Sequence, residues 1–127
     1  MRPRYADLFK ALKDPDPARA DAAYDALLFD RGAALPDLAE AYRTFKKDAA
    51  LRFYAVQLMA FSEEPRAIPH VLEALTDPDP MVRAEACRAL EDLSAKDAVA
   101  ALRARTEDLD ANVREAARDA LEALGAL

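Results

Sequence analysis

The chain has 127 residues and a net charge of −6, and its mean hydropathy is only −0.21 although 53% of it is hydrophobic, because 31 of those residues are alanine. Nine β-branched residues and two glycines, Gly32 and Gly125, leave too little to build a sheet, and alanine is the best helix former, so an all-α fold in a single domain, residues 1–127, is expected. No run approaches the roughly 18 apolar residues of a membrane span, the start MRPRYADLFKALK has no apolar leader region, and the single Cys87 excludes an internal disulfide or a Cys-rich zinc site; a cytoplasmic protein is predicted.

In chain order, the patterning predicts eight helices over residues 4–13, 17–30, 35–46, 48–61, 66–76, 80–93, 96–106 and 111–124. The first carries Leu8, Phe9 and Leu12 and runs into Asp14-Pro15-Asp16-Pro17, where Asp16 is placed to cap the second helix and Pro17 to occupy its first position. The third shows Leu35, Leu38, Ala39 and Tyr42; the fourth shows Leu51, Ala55, Leu58 and Met59 before the break Ser62-Glu63-Glu64-Pro65. Ile68, Val71, Leu72 and Leu75 mark the fifth. Asp77-Pro78-Asp79-Pro80 then opens the sixth, with Val82, Ala86, Ala89 and Leu90 on one face. Val99 and Leu102 mark the short seventh, and Asp110 caps an eighth bearing Val113, Ala116, Ala117, Ala120 and Leu121.

These helices repeat. Residues 77–90 recur 31 positions on at 108–121 and 31 positions back at 46–59, and Asp7–Pro17 matches His70–Pro80 slot for slot. The divisions are a partial unit 1–13, units 14–45, 46–76 and 77–107, and a partial unit 108–127. Residues 65–124, with Ala67-Ile68-Pro69, Leu75-Thr76-Asp77-Pro78-Asp79, Val82-Arg83, Ala86 and Leu90, resemble the HEAT-like repeats of the phycobilin lyase type. The first half departs from that pattern at Ala20, where Arg83 stands in the later unit, and there is no Gly-Asp between paired helices. The resemblance implies an α-α superhelix, a right-handed solenoid of helical hairpins used as a binding scaffold.

Candidate functional residues follow from what the apolar stripes leave over. Arg52, Arg83 and Arg114 recur every 31 residues just inside a helix; planar guanidinium groups there suit the carboxylates and carbonyls of the inter-repeat loops at Asp77, Asp79, Asp108 and Asp110, a structural role, with a ladder for an anionic partner as the alternative. The second helices leave Lys10, Asp37, Glu40, Arg43, His70, Glu73, Arg103 and Arg105 as polar positions for a protein or peptide partner. Arg43, Lys46, Lys47 and Arg52 interleave with Tyr42, Phe45, Phe53 and Tyr54, the parts a nucleic-acid site needs, but the acidic net charge opposes phosphate attraction. His70 and Glu73 share a helix face without the further ligands of a metal site, so neither a metal nor a cofactor is expected, and no nucleophile stands near a base. A non-enzymatic adaptor is therefore predicted, with a nucleic-acid module as the alternative and, through the resemblance alone, an accessory of a lyase or chromophore-attachment system as a third reading. The polar face of the last helix, at Arg114, Glu115, Arg118, Asp119 and Glu122, predicts a monomer; the alternative is a terminal homodimer through Leu121, Leu124 and Leu127.

Overall fold

Four aspartates start the four long helices. The side chain of Asp16 accepts the Ala18 N–H at 3.0 Å, Asp48 accepts that of Leu51 at 3.1 Å, Asp79 that of Met81 at 2.8 Å, and Asp110 those of Asn112 and Val113 at 2.8 and 3.1 Å. Each satisfies a backbone donor that the first turn would otherwise leave open. The computed structural model describes all 127 residues, and it contains helices and turns and no strand. The helices are α1 (Pro3–Ala11), α2 (Pro17–Phe29), α3 (Leu35–Thr44), α4 (Ala49–Phe61), α5 (Ile68–Glu73), α6 (Pro80–Asp92), α7 (Val99–Arg105) and α8 (Ala111–Ala123). Short 3-10 turns at Pro65–Ala67, Ala74–Thr76 and Lys96–Ala98 extend α5 and α7.

The eight helices lie where the periodicity put them, with two shortened ends. α1 stops at Ala11 and α3 at Thr44, because Phe45 leaves helical geometry (φ −88, ψ 57) and Asp48 caps the next helix instead of belonging to it. α2, α4, α6 and α8 are each 13 residues long and lie side by side as one row; α1, α3, α5 and α7 form the second row of an α-α solenoid. One cluster of 34 buried residues runs through the stack, and 16 of them are alanine. Ala55, Ala86 and Ala117, one 31-residue step apart, are all fully buried. A methyl group there lets α4, α6 and α8 approach closely, and the bulk comes from Phe9, Leu27, Leu38, Leu58, Met59, Leu90, Leu102 and Leu121.

Thin alanine seams gain little area per residue, about 25 cal/mol per Å², and they are poor at fixing register. Directional bonds between repeats supply it. Arg52 grips Asp77 with two parallel bonds, Nε to Oδ2 at 2.9 Å and Nη2 to Oδ1 at 3.0 Å, while its Nη1 donates to the Phe45 and Lys46 carbonyls at 3.0 and 2.7 Å. Arg83 holds Asp108 in the same way at 3.0 and 3.0 Å and bonds the Asp77 and Pro78 carbonyls at 2.8 and 3.2 Å. Each carboxylate also closes its own loop, since Asp77 Oδ1 accepts the Asp79 N–H at 2.9 Å and Asp108 Oδ1 that of Asp110 at 3.0 Å. Burial pushes both carboxyl groups toward higher pKa, but the bonds from the arginine and the loop N–H, and for Asp77 from Tyr42, outweigh it and hold them below the usual range.

The long helices end alike as well. Glu63, Ser94 and Gly125, again 31 apart, adopt positive φ of 56, 52 and 73° just past α4, α6 and α8. The last two sit in the same two-bond closure: Ser94 N–H to Glu91 O at 2.9 Å with Ala95 N–H to Leu90 O at 3.0 Å, and Gly125 N–H to Glu122 O at 3.0 Å with Ala126 N–H to Leu121 O at 2.9 Å. A left-handed backbone position that favours glycine is thus filled twice by residues with a Cβ, at a conformational cost of about 1 kcal/mol each.

Asp77→Ala strands a buried guanidinium and is expected to lower unfolding free energy by about 3 kcal/mol in urea titration, whereas Arg43→Ala, at an exposed pair, shifts the midpoint far less. Because the folded pKa values of Asp77 and Asp108 are depressed, their contribution is full above the unfolded value of about 3.9 and is lost as pH falls from there through the folded values. Asp77→Asn therefore flattens the acid limb of the stability–pH profile. Ser94→Gly is expected to raise stability by about 1 kcal/mol, and Ser94→Ala to give no such gain.

Candidate functional site

The second helices present the charged row. Lys10, Glu40, Arg43, Glu73 and Arg103 are exposed and His70 is half-buried. Several of them are already paired along the stack: the Met1 ammonium with Glu40, Arg43 with Glu73 through Nε at 3.3 Å, and Arg103 Nη2 with the Ala126 carbonyl at 3.3 Å. Two members of the expected contact set do not belong to the open surface. Asp37 is 4% exposed and is held by Arg2 through the backbone N–H at 2.7 Å, Nε at 2.9 Å and Nη2 at 2.6 Å. Arg105 turns back onto Asp108 at 3.1 Å, the carboxylate that Arg83 also holds. A carboxylate with the polarity of Asp37 reads as surface in a sequence; only the arrival of Arg2 from 35 residues away explains its burial.

The basic and aromatic cluster separates in space. Arg52 is buried in the clasp with Asp77 and is closed to a phosphate, and Arg43 faces Glu73, which leaves Lys46 and Lys47 exposed in the α3–α4 turn. Tyr42 donates its hydroxyl to Asp77 Oδ2 at 2.7 Å, and Phe45 packs against Phe9 at 5.5 Å between ring centroids. Seven of the nine aromatics pack into or against the core; Phe29 and Phe61 are exposed. The side chains of Arg83 and Arg114 reach into the inter-repeat loops as well, with Arg114 Nη1 donating to the Asp108 and Leu109 carbonyls at 2.7 and 3.1 Å. Asp79 and Asp110 cap helices and do not meet an arginine directly.

A different surface carries the apolar opening. Between α4 and α6, Ala49, Ala50, Phe53, Tyr54, Asp79 and Met81 line an open groove of about 370 Å³. Its aromatic wall is braced from behind: Phe53 meets Tyr54 edge-on at 5.9 Å, Tyr54 meets Tyr24 edge-on at 5.8 Å, and the Tyr24 hydroxyl donates to Gln57 Oε1 at 2.5 Å. Burial, with the nearby Glu85 charge, pushes the Tyr24 hydroxyl up to about 12, so it stays a donor at neutral pH. On the other wall Met81 is 63% exposed. Sequence patterning passed over Met81, yet a signal existed: its repeat counterparts are Ala50 and Asn112, so a large flexible apolar side chain stands where the repeat keeps a small or polar one.

Chemistry-bearing groups are otherwise absorbed by the fold. Cys87 is fully buried, and burial raises its thiol to about 12, far from a reactive thiolate. No group of three or more His, Cys, Asp or Glu side chains is placed to hold a metal ion. No helix is long and apolar enough to cross a membrane.

No curated protein matches the chain in sequence. The complex of CpcE and CpcF of phycocyanin lyase from Nostoc sp. PCC7120 is similar in structure, with a TM-score of 0.52 and 19% identity over 94% of this chain and 64% of that one. The chain thus spans less than two thirds of that protein's length, and the likeness is one of fold. The family model of HEAT repeats matches residues 35–122, more than half of the chain. With its stacked helical hairpins, buried alanine seams and arginine–aspartate contacts between units, the chain belongs to the HEAT-repeat family.

Proposed function

We propose that the protein is a non-enzymatic scaffold whose α4–α6 groove receives an apolar segment of a protein partner. The observation that carries this reading is the groove itself: Met81 is 63% exposed opposite a braced Phe53–Tyr54 wall, in a molecule whose other large side chains are mostly committed to the stack. Covering one such side chain is worth about 1.5–3 kcal/mol, whereas a single exposed ion pair of the second-helix row contributes about 1 kcal/mol or less. The row at Lys10, Glu40, Arg43, His70, Glu73 and Arg103 then serves as a second, charge-tuned contact rather than the anchor. HEAT repeats as a family support a protein-binding role, and the similar structure is itself one of two associated chains.

A nucleic-acid role has less behind it. With Arg52 enclosed and Arg43 paired, two lysines remain on a chain of net charge −6, too few for strong phosphate attraction. A lyase or chromophore-attachment role rests on fold likeness alone.

Selection of displayed peptides against the immobilised chain tests the proposal. Apolar peptides are expected, with affinity reduced at least tenfold by Met81→Asp and little changed by Arg103→Glu or by salt. Peptides that ignore Met81→Asp and are lost with Arg103→Glu would move the site to the second-helix row. Binding of single-stranded oligonucleotides that depends on Lys46 and Lys47 would overturn the reading.

A further inference from the structure

Glu85 stands on α6 where the repeat keeps uncharged residues, Tyr54 on α4 and Ala116 on α8, and it is only 8% exposed. A single protein bond reaches it. Arg88 Nη1 donates to Oε2 at a long 3.3 Å, from a side chain that is itself exposed. The buried clasp carboxylates of Asp77 and Asp108 each accept four bonds. Oε1 of Glu85 accepts none and, since every fully enclosed polar side-chain atom in the molecule has a partner, keeps an opening to solvent. Burial pushes this carboxyl above the ordinary glutamate value, and Arg88 offsets the push only in part. A half-desolvated carboxylate with one weak bond gains more from a further donor than an exposed one does.

Its place in the fold is beside the groove. Met81 and Glu85 are four residues apart on α6, hence on one face and about 6 Å apart along the helix. The Glu85 charge is felt at the Tyr24 hydroxyl of α2, which puts the carboxylate on the α4 side of its helix, toward the Tyr54 wall. The openings on the two sides of α6 are lined by Asp79, Glu91, Glu115 and Asp119, with Arg88 as their only cation. An apolar floor therefore runs into a negative margin.

We propose that the apolar segment received by the α4–α6 groove also carries a lysine or arginine, placed about 6 Å from its apolar anchor, and that this cation closes on Glu85; the spacing is four residues in a helix or two in an extended chain. The inference rests on the groove reading and names the chemistry of the occupant. Arg88, displaced from Glu85, stays among the carboxylates of the α6–α8 opening, so the exchange leaves no cation stranded. The new pair lies under the bound segment, and salt screens it weakly, in keeping with an apolar anchor. A segment with an acidic side chain at that spacing meets like charge and is rejected.

Peptides selected by display against the immobilised chain, then synthesised and titrated against the full chain by calorimetry, test the proposal. A basic residue is expected at a constant spacing from the apolar anchor. Glu85→Gln, which keeps an acceptor for Arg88, should weaken these peptides about tenfold or more, as should glutamine in place of the peptide's basic residue. Both changes together should cost little more than either alone. The unfolding midpoint of Glu85→Gln is read alongside, and if it falls, the peptide substitution against wild type decides. Peptides lost with Met81→Asp that have no basic residue at a fixed spacing, that bind Glu85→Gln as tightly as wild type, or whose two losses add in full would overturn this inference and leave the groove in place. Peptides indifferent to Met81→Asp, or none selected at all, would overturn both.

Discussion

A guanidinium that reaches one repeat forward to a loop aspartate is the contact on which the stack depends. The alanine seams between α4, α6 and α8 are nearly featureless, so sliding one helix along another by a turn would exchange methyl groups for methyl groups at little cost in area. The clasp removes that freedom. Arg52 and Arg83 each spend one nitrogen on the carbonyls of the loop behind them and two on the carboxylate ahead, so three points fix the angle between successive units. The same aspartate shapes its own loop and thereby sets the start of the next helix through Asp79 or Asp110. Helix start, loop and stacking angle are consequently one cooperative unit, with each bond preorganising the next.

The first junction is built on another plan. Ala20 and Lys46 occupy the two clasp positions between α2 and α4, so no arginine–aspartate clasp forms there. Aromatic bulk replaces it: Phe9 on Phe45, Tyr24 on Tyr54, and the Tyr24–Gln57 bond, with Lys13 reaching Asp48 at 3.4 Å and Arg31 donating to the Phe61 carbonyl at 2.6 Å. This gives a role to Phe9, Tyr24, Phe45 and Tyr54, four of the nine aromatics that precede residue 62. The division of the chain by composition reflects two ways of locking repeats, and the aromatic wall of the groove is a by-product of the first.

Helix number, order and the buried face of each long helix were legible because period and punctuation agree: Asp-Pro pairs mark starts at Asp16 and Asp79, and apolar residues recur on one face between them. The arginine slots were legible for the same reason, since a 31-residue register draws the eye to Arg52, Arg83 and Arg114. Long-range polar contacts were not. Nothing local distinguishes Asp37 from Glu40, yet one is enclosed by Arg2 and the other open. Arg105 looked free because its partner lies three residues on in a loop whose bend no pattern specifies. The groove was hidden for a further reason: its walls come from two repeats, and only the stacking angle brings Met81 opposite Phe53 and Tyr54.

Cys87 gives the molecule an internal clock. Its sulfur is fully enclosed on α6, and burial, only partly offset by the Arg105 and Arg88 charges, keeps it protonated near neutrality. An alkylating reagent therefore has no route to it while the packing around α6 stays closed, and the labelling rate counts the openings of that part of the core. Since every other thiol is absent, the count is unambiguous. The repeat slot that holds Tyr24, Val56 and Arg118 elsewhere has, in this unit, been given an atom whose chemistry records how often the solenoid breathes.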